Sequence, residues 1–260
     1  MLETKIGIHL GSFRQSFKKA LHTAARLGGA AVEIDARSEV KPQEMTRTAV
    51  RHLRKVLDDL NLRVCAVSFQ TRRGYNVEED LDARIEATKR AMQMAYEIGA
   101  SVLINQVGRI PDQPEGLAWD LLVAALSDLG RFGQKVGCLL AAKTGAEDAE
   151  SLARLVAALP SGSLGIDLDP GGLIINGFSP REALEKLGAD VLHVHARDAV
   201  RDLAQGRGLE VPLGQGTADF PELMGMLEEH NYHGYFTVQR EQARDAEVEI
   251  CQAVQYLKNI

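Results

Sequence analysis

Eight short apolar runs, each separated from the next by a longer amphipathic stretch, restrict this chain to an α/β architecture. The runs are KIGIHL (5–10), AAVEIDA (30–36), RVCAVSF (63–69), SVLINQV (101–107), CLLAAK (138–143), LGIDLD (164–169), DVLHVHA (190–196) and GYFTVQ (234–239). Most are apolar on both faces, as parallel strands covered by helices must be.

The stretches between them carry helix signals. Leu81, Ile85, Ala91, Met92, Ala95 and Ile98 form an apolar stripe, with Glu86 and Arg90 one turn apart on the wet side and Gly99 after the last turn. Ser179, Pro180 and Glu182 make a helix start with its cap, a first-position Pro and a capping-box Glu. Asp219 and Glu222 repeat that spacing, and a last helix is expected over 245–257. Eight strand-then-helix units predict a single (β/α)8 TIM barrel spanning 1–260. A doubly wound open sheet is the alternative, but GIHLGSFRQS after the first run lacks the Gly-rich phosphate fingerprint such sheets often carry. The connection over 197–216 is long and rich in glycine, and loops of that kind tend to be functional or mobile.

Hydrophobic residues make up 45% of the 260 positions, enough for a full core. The net charge of −6 argues against nucleic-acid binding, which needs a basic surface. The start MLETKIGIHLGSF has no basic leader before an apolar stretch, and no apolar run has the length of a membrane span. Cys65, Cys138 and Cys251 are odd in number, far apart and in apolar settings, so buried free thiols are expected. The expectation is a cytoplasmic protein without membrane or nucleic-acid partners, compatible with a homo-oligomer.

Four of the runs end in polar residues: Lys143, Asp169, His195 and Gln239. In a barrel these would meet at the mouth formed by the C-terminal strand ends, where such folds do chemistry. Asp167 and His193 lie one layer lower, where a mutual hydrogen bond would satisfy both. Lys143 caps a buried strand, so its ammonium needs a carboxylate, and Asp169 on the next strand is the expected partner. A desolvated amine acting as base or Schiff-base nucleophile is the other reading.

Arg14, Arg37, Arg72, Arg73, Arg109, Arg197 and Arg240 follow strand ends. They are either solvated loop charge, paired with Asp35, Asp198 or Glu241, or forks for a phosphate or sugar acid. Arg73 in TRRGYN, Arg197, and Arg207 in GRG are the candidates for recognition. Glu33, Asn105, Gln106 and Glu241 are placed to bond sugar hydroxyls, or to satisfy one another.

The stretches LGIDLDPGGLIINGFSPREALEKLG, VLHVHARDA and EVPLGQGTADFPELMGMLEEHNYHGYFTVQRE, with ATKRAMQMAYEIGASVLINQVG upstream, resemble the xylose-isomerase-like TIM-barrel family of sugar phosphate isomerases and epimerases, which is related to endonuclease IV. The resemblance implies a divalent metal (Mn, Mg, Zn or Co) held by a Glu, an Asp, a His and a Glu ending the fifth to eighth strands, the glutamates doubling as acid and base. Carried over, the Asp is Asp169 and the His is His195. Lys143 and Gln239 stand where the two glutamates would be. Gly172 stands where the endonuclease branch places a further His. A family-like set carries three negative charges before metal, whereas Lys, Asp, Gln and neutral His sum to about zero. A dication about 4 Å from the ammonium would be repelled by several kcal/mol at an effective dielectric near 20. No cofactor is therefore expected: Lys143 takes the metal's place, paired to Asp169, with His195 and Gln239 as hydrogen-bond neighbours.

Three functions follow. The first is an isomerase or epimerase of a sugar, sugar phosphate or sugar acid, with His195, Lys143, Glu241 or Asp198 moving the proton. The second is a non-catalytic descendant that binds such a metabolite. The third is a Schiff-base lyase using Lys143.

Overall fold

The computed structural model describes residues 4–201 and 208–260. Its strands are β1 (Ile6–His9), β2 (Ala31–Asp35), β3 (Arg63–Ser68), β4 (Val102–Asn105), β5 (Leu139–Lys143), β6 (Gly165–Leu168), β7 (Val191–Ala196), β8 (Asp198–Val200), β9 (Leu209–Val211) and β10 (Phe236–Val238). All but β8 and β9 pair in parallel, and β1 joins β2 on one side and β10 on the other, so the sheet closes into an eight-stranded barrel. Closure removes both edges and rules out the open doubly wound sheet.

The helices are α1 (Phe17–Arg26), α2 (Arg47–Asp59), α3 (Leu81–Glu97), α4 (Leu117–Val136), α5 (Ala149–Ala158), α6 (Pro170–Ile175), α7 (Pro180–Leu187), α8 (Phe220–Glu229) and α9 (Ala246–Asn259). Their starts follow the local chemistry read from the sequence. Ser179 caps α7 through the Glu182 N–H, and Asp219 caps α8 through the Glu222 N–H. Asp169, by contrast, is both a strand-end residue and the cap of α6, accepting from the Gly172 N–H at 2.8 Å. None of the described helices is long and apolar enough to cross a membrane.

The main core lies between barrel and helices, where Leu21, Leu53, Met92, Leu126, Leu155, Leu184, Phe220 and Leu257 meet the outer faces of the strands. Inside, the barrel is divided. Ala66, Val102, Ile104 and Ala141 form a separate small apolar cluster on β3–β5. By strand alternation they share the inward face with Ser68 and Lys143 above them. The opposite wall, on β2, β6, β7 and β10, is polar and buried: Glu33, Asp167, His193, His195 and Thr237.

Two sequence expectations change. Cys65 and Cys138 are buried, with thiols that burial pushes up to about 12, but Cys251 on α9 is only half-buried. The segment 197–216 is not a plain loop: β8 and β9 make an antiparallel ribbon in register from Asp198–Val211 to Val200–Leu209. Arg207 lies outside the described residues.

Candidate active site at the barrel mouth

A cavity of about 510 Å³ opens at the C-terminal ends of the strands. At one side of it Lys143 Nζ stands 3.2 Å from Asp169 Oδ2 and donates to Gln239 Oε1 at 3.0 Å. The ammonium side chain is only 12% exposed, and Asp169 1%. Asp169 holds a second cation, since Arg197 Nη1 donates to the same Oδ2 at 2.6 Å. Its other oxygen caps α6, and its own N–H donates to Thr144 Oγ1 at 2.8 Å. Burial opposes the charge on Asp169, yet Arg197 and then Lys143 hold its carboxyl well below the usual carboxylate range. Burial likewise acts to lower the Lys143 pKa, but Asp169 and then Asp167 outweigh it, and the net shift is upward. The pairing with Asp169 favours the ammonium form of Lys143, whereas a Schiff-base nucleophile needs the free amine.

Arg197 is the residue whose place the sequence pattern does not reveal. It looks like one of seven loop arginines, but its guanidinium is buried between Asp169 and Glu210, whose Oε1 lies 3.3 Å from Nε. Glu210 also accepts from the N–H groups of Glu241 and Gln242 and pairs with Arg240 at 3.2 Å. Thus β9 of the ribbon supplies the carboxylate that seats Arg197.

His195 makes no hydrogen bond to Lys143 or Asp169, contrary to expectation. Its Nδ1 donates to Asp167 at 2.8–2.9 Å. Its Nε2 lies 2.8 Å from Glu33 Oε2 but out of line for a hydrogen bond, so both atoms are buried without an aligned partner. The expected Asp167–His193 bond is present at 2.8 Å, and His193 Nε2 lies 2.8 Å from Thr237 Oγ1. Asp167 is level with His193 in the sheet register and also accepts from His195, the next residue on the same face of β7. Burial acts to lower the His195 pKa, but Asp167 and Glu33 push it up to about 9. Glu33 and Asp167, despite burial, are held well below the carboxylate range by the imidazoles beside them.

The remaining candidates divide. Glu33, Gln106 and Glu241 line the same cavity as Lys143, Asp169, His195, Arg197 and Gln239. Glu241 is the most open of the carboxylates there, its side chain 55% exposed and 3.6 Å from Arg197 Nη2. Arg73 faces a neighbouring cavity and is paired with Glu79 at 2.5 Å. Asn105 is satisfied by Tyr75 and Thr71 rather than turned to the mouth. Asp198 does not line the mouth: it is 1% exposed and accepts from the N–H groups of Ala199, Gly214, Gly216 and Ala218. His9, not singled out in the sequence, also lines the mouth, and burial lowers its pKa.

Residues 21–260 match a family profile described as xylose isomerase-like TIM barrel. The chain belongs to that family. Within it, the chain is 26% identical over 227 residues to an inosose dehydratase of Clostridium beijerinckii, covering 74% of each. A xylose isomerase domain protein from Planctomyces limnophilus superposes with a TM-score of 0.87 at 23% identity, over 99% of this chain and 97% of that one. A xylose isomerase-like TIM barrel protein from Mycobacterium smegmatis, solved in complex with magnesium, superposes at 0.79 with 16% identity, over 98% and 96%.

A metal is therefore the family question. Glu33, His193 and His195 offer ligand atoms within 4.8 Å of one another. They do not fit a dication. Both His193 nitrogens are engaged by Asp167 and Thr237, and His195 Nδ1 is engaged by Asp167. Within this group the Glu33 carboxylate and His195 Nε2 remain, too few side chains for a structural or catalytic site. At the other candidate position both oxygens of Asp169 are taken, one by two cations and one by the Gly172 N–H. A side chain at Gly172 would press on the Asp169 carboxyl, since a Cβ there would sit 3.0 Å from it.

Proposed function

We propose that this family member is an isomerase- or epimerase-type enzyme for a small polyhydroxy carbonyl compound, a sugar or sugar acid, and that it works without a bound dication. Isomerisation through an enediol, epimerisation beside a carbonyl and β-elimination of water, the reaction type suggested by the Clostridium relative's name, can each begin with removal of a proton next to a carbonyl. The charge then builds on the carbonyl oxygen, and the protein must meet it with a fixed positive group. Lys143 Nζ and Arg197 Nη1, both within 3.2 Å of Asp169 Oδ2, supply two.

The pairing with Asp169 keeps both cations charged and oriented before substrate arrives, so no reorganisation is needed as the oxyanion forms. Glu241, open at the rim, is the carboxylate placed to take the proton, with Gln239 Nε2 donating to its Oε1 at 3.3 Å. His195 Nε2 and Ser68 Oγ, buried at the wall without aligned partners, are positioned for substrate hydroxyls. The single observation that carries the reading is the two-cation clasp on Asp169.

Proton exchange tests it. The protein, treated with EDTA, is incubated in D2O with a panel of ketoses, inososes and keto sugar acids, and deuterium uptake beside the carbonyl is followed by NMR. Uptake that persists in EDTA and falls at least about 100-fold in Lys143→Met is expected. Tight binding of a panel member without exchange would instead establish the non-catalytic reading.

A further inference from the structure

A second cavity, of about 500 Å³, opens beside the mouth between the end of β3 and the first turns of α3. Thr71 forms part of the wall of both cavities. Four guanidinium groups, Arg37, Arg72, Arg73 and Arg84, surround it against the carboxylates of Glu79 and Asp80. Arg73 is neutralised by Glu79 at 2.5 Å. The other three have no carboxylate within ion-pair distance among the described residues. Arg37 donates to the Gln70 carbonyl at 2.7 Å and lies over the Phe69 ring, 5.3 Å from its centroid. Arg84 donates to the carbonyls of Val77 and Glu79, and its Nε is buried without a partner. Arg72 is exposed at the rim.

The Asp80 side chain makes no cap bond to α3, so its charge is the one left to set against three guanidiniums. The cavity thus holds two uncompensated positive charges in a chain whose net charge is −6. The first turn of α3 opens onto it at Asp80 and Ala83, so the positive end of a 17-residue helix adds to the same field. Small side chains at Ala83 and Ala87 leave the space open.

We propose that this cavity binds the phosphate dianion of an elongated substrate whose carbonyl end lies at Lys143, the chain of that substrate crossing Thr71. The assignment deepens the carbonyl-site reading and rests on it for the other end of the molecule. Planar guanidiniums match phosphate oxygens in pairs, and two net positive charges match a dianion better than a carboxylate.

Inorganic phosphate is the probe, since it tests this cavity without any assumption about the sugar. Calorimetric titration at constant ionic strength should show one saturable site. Arg72→Gln should weaken it at least about tenfold, as removal of one charge-assisted bond does. Ala83→Glu, an exposed helix position that places a carboxylate in the cavity, should abolish it with the thermal transition preserved. Lys143→Met should leave phosphate affinity within about twofold, which separates this cavity from the mouth. Absence of saturable binding, equal affinity in Arg72→Gln and Ala83→Glu, loss in Lys143→Met, or acetate binding as tightly as phosphate would each overturn the proposal.

Discussion

Lys143 Nζ lies 3.2 Å from Asp169 Oδ2, at a barrel mouth where both side chains are almost wholly buried. The carboxylate also holds Arg197 at 2.6 Å, so one anion seats two cations. The ammonium is an internal, non-exchangeable charge at the place where relatives of this fold are expected to hold a metal.

Asp169→Asn tests that clasp through stability. The change keeps the shape but leaves Lys143 and Arg197 buried without their shared anion. Breaking a buried pair in this way costs about 3–5 kcal/mol. Denaturant unfolding should register that loss, and a change below about 1 kcal/mol would mean that the clasp is not organised as described.

Reversing the charges tests it through chemistry. Lys143→Glu combined with Gln239→Glu replaces an ammonium and an amide by two carboxylates facing Asp169. Manganese titration should show one tight site per chain in the double variant. Failure of the folded double variant to bind manganese would show that the mouth differs from a metal site in more than charge.

Gly216 is fixed by close approach. A Cβ there would fall 2.0 Å from Asp198 Oδ1, the carboxylate that gathers four backbone N–H groups beneath the ribbon. Gly216→Ala should cost about 2 kcal/mol or more by displacing that carboxylate from its donors. Since the ribbon carries Glu210, the partner of Arg197, carbonyl-substrate binding should weaken as well. A thermal melt and a ligand titration check the two effects together.

Glu39 gives a pH signature. Burial, and then the nearby Asp35 and Glu33, push its carboxyl up to about 7, even though its Oε2 accepts from the Asp35 N–H at 2.8 Å. A carboxyl with a raised folded-state pKa binds more protons folded than unfolded, so stability falls as pH rises from about 4.5 through 7. Glu39→Gln should flatten that part of the profile and raise stability at pH 8 by on the order of 1–3 kcal/mol. Parallel wild-type and variant curves between pH 5 and 8 would contradict it.

Much of the fold was legible because each barrel strand is a short apolar run bounded by helix chemistry, and that period survives without knowledge of tertiary contacts. The Lys143–Asp169 pair was legible for a similar reason: a charge ending a buried strand must find an anion, and the next strand ends in one. The partner of His195 was not. It depends on which way the His195 ring turns along the barrel wall, which no alternation pattern records. Arg197 was recognisable only as one of many loop arginines, because its burial depends on Glu210 arriving from β9. Arg73 satisfied the pattern of a recognition residue but is taken by Glu79, whereas its neighbour Arg72 has no such partner among the described residues.

Metal content decides the central claim most directly. The purified protein is saturated with manganese or magnesium, freed of loosely held ion, and assayed for metal per chain. The Lys143 ammonium predicts far less than one equivalent, with the crystal density between Asp169 and Gln239 accounted for by the lysine tip. One tightly held ion per chain, with Asp169 and His195 in its inner coordination sphere, would contradict the account.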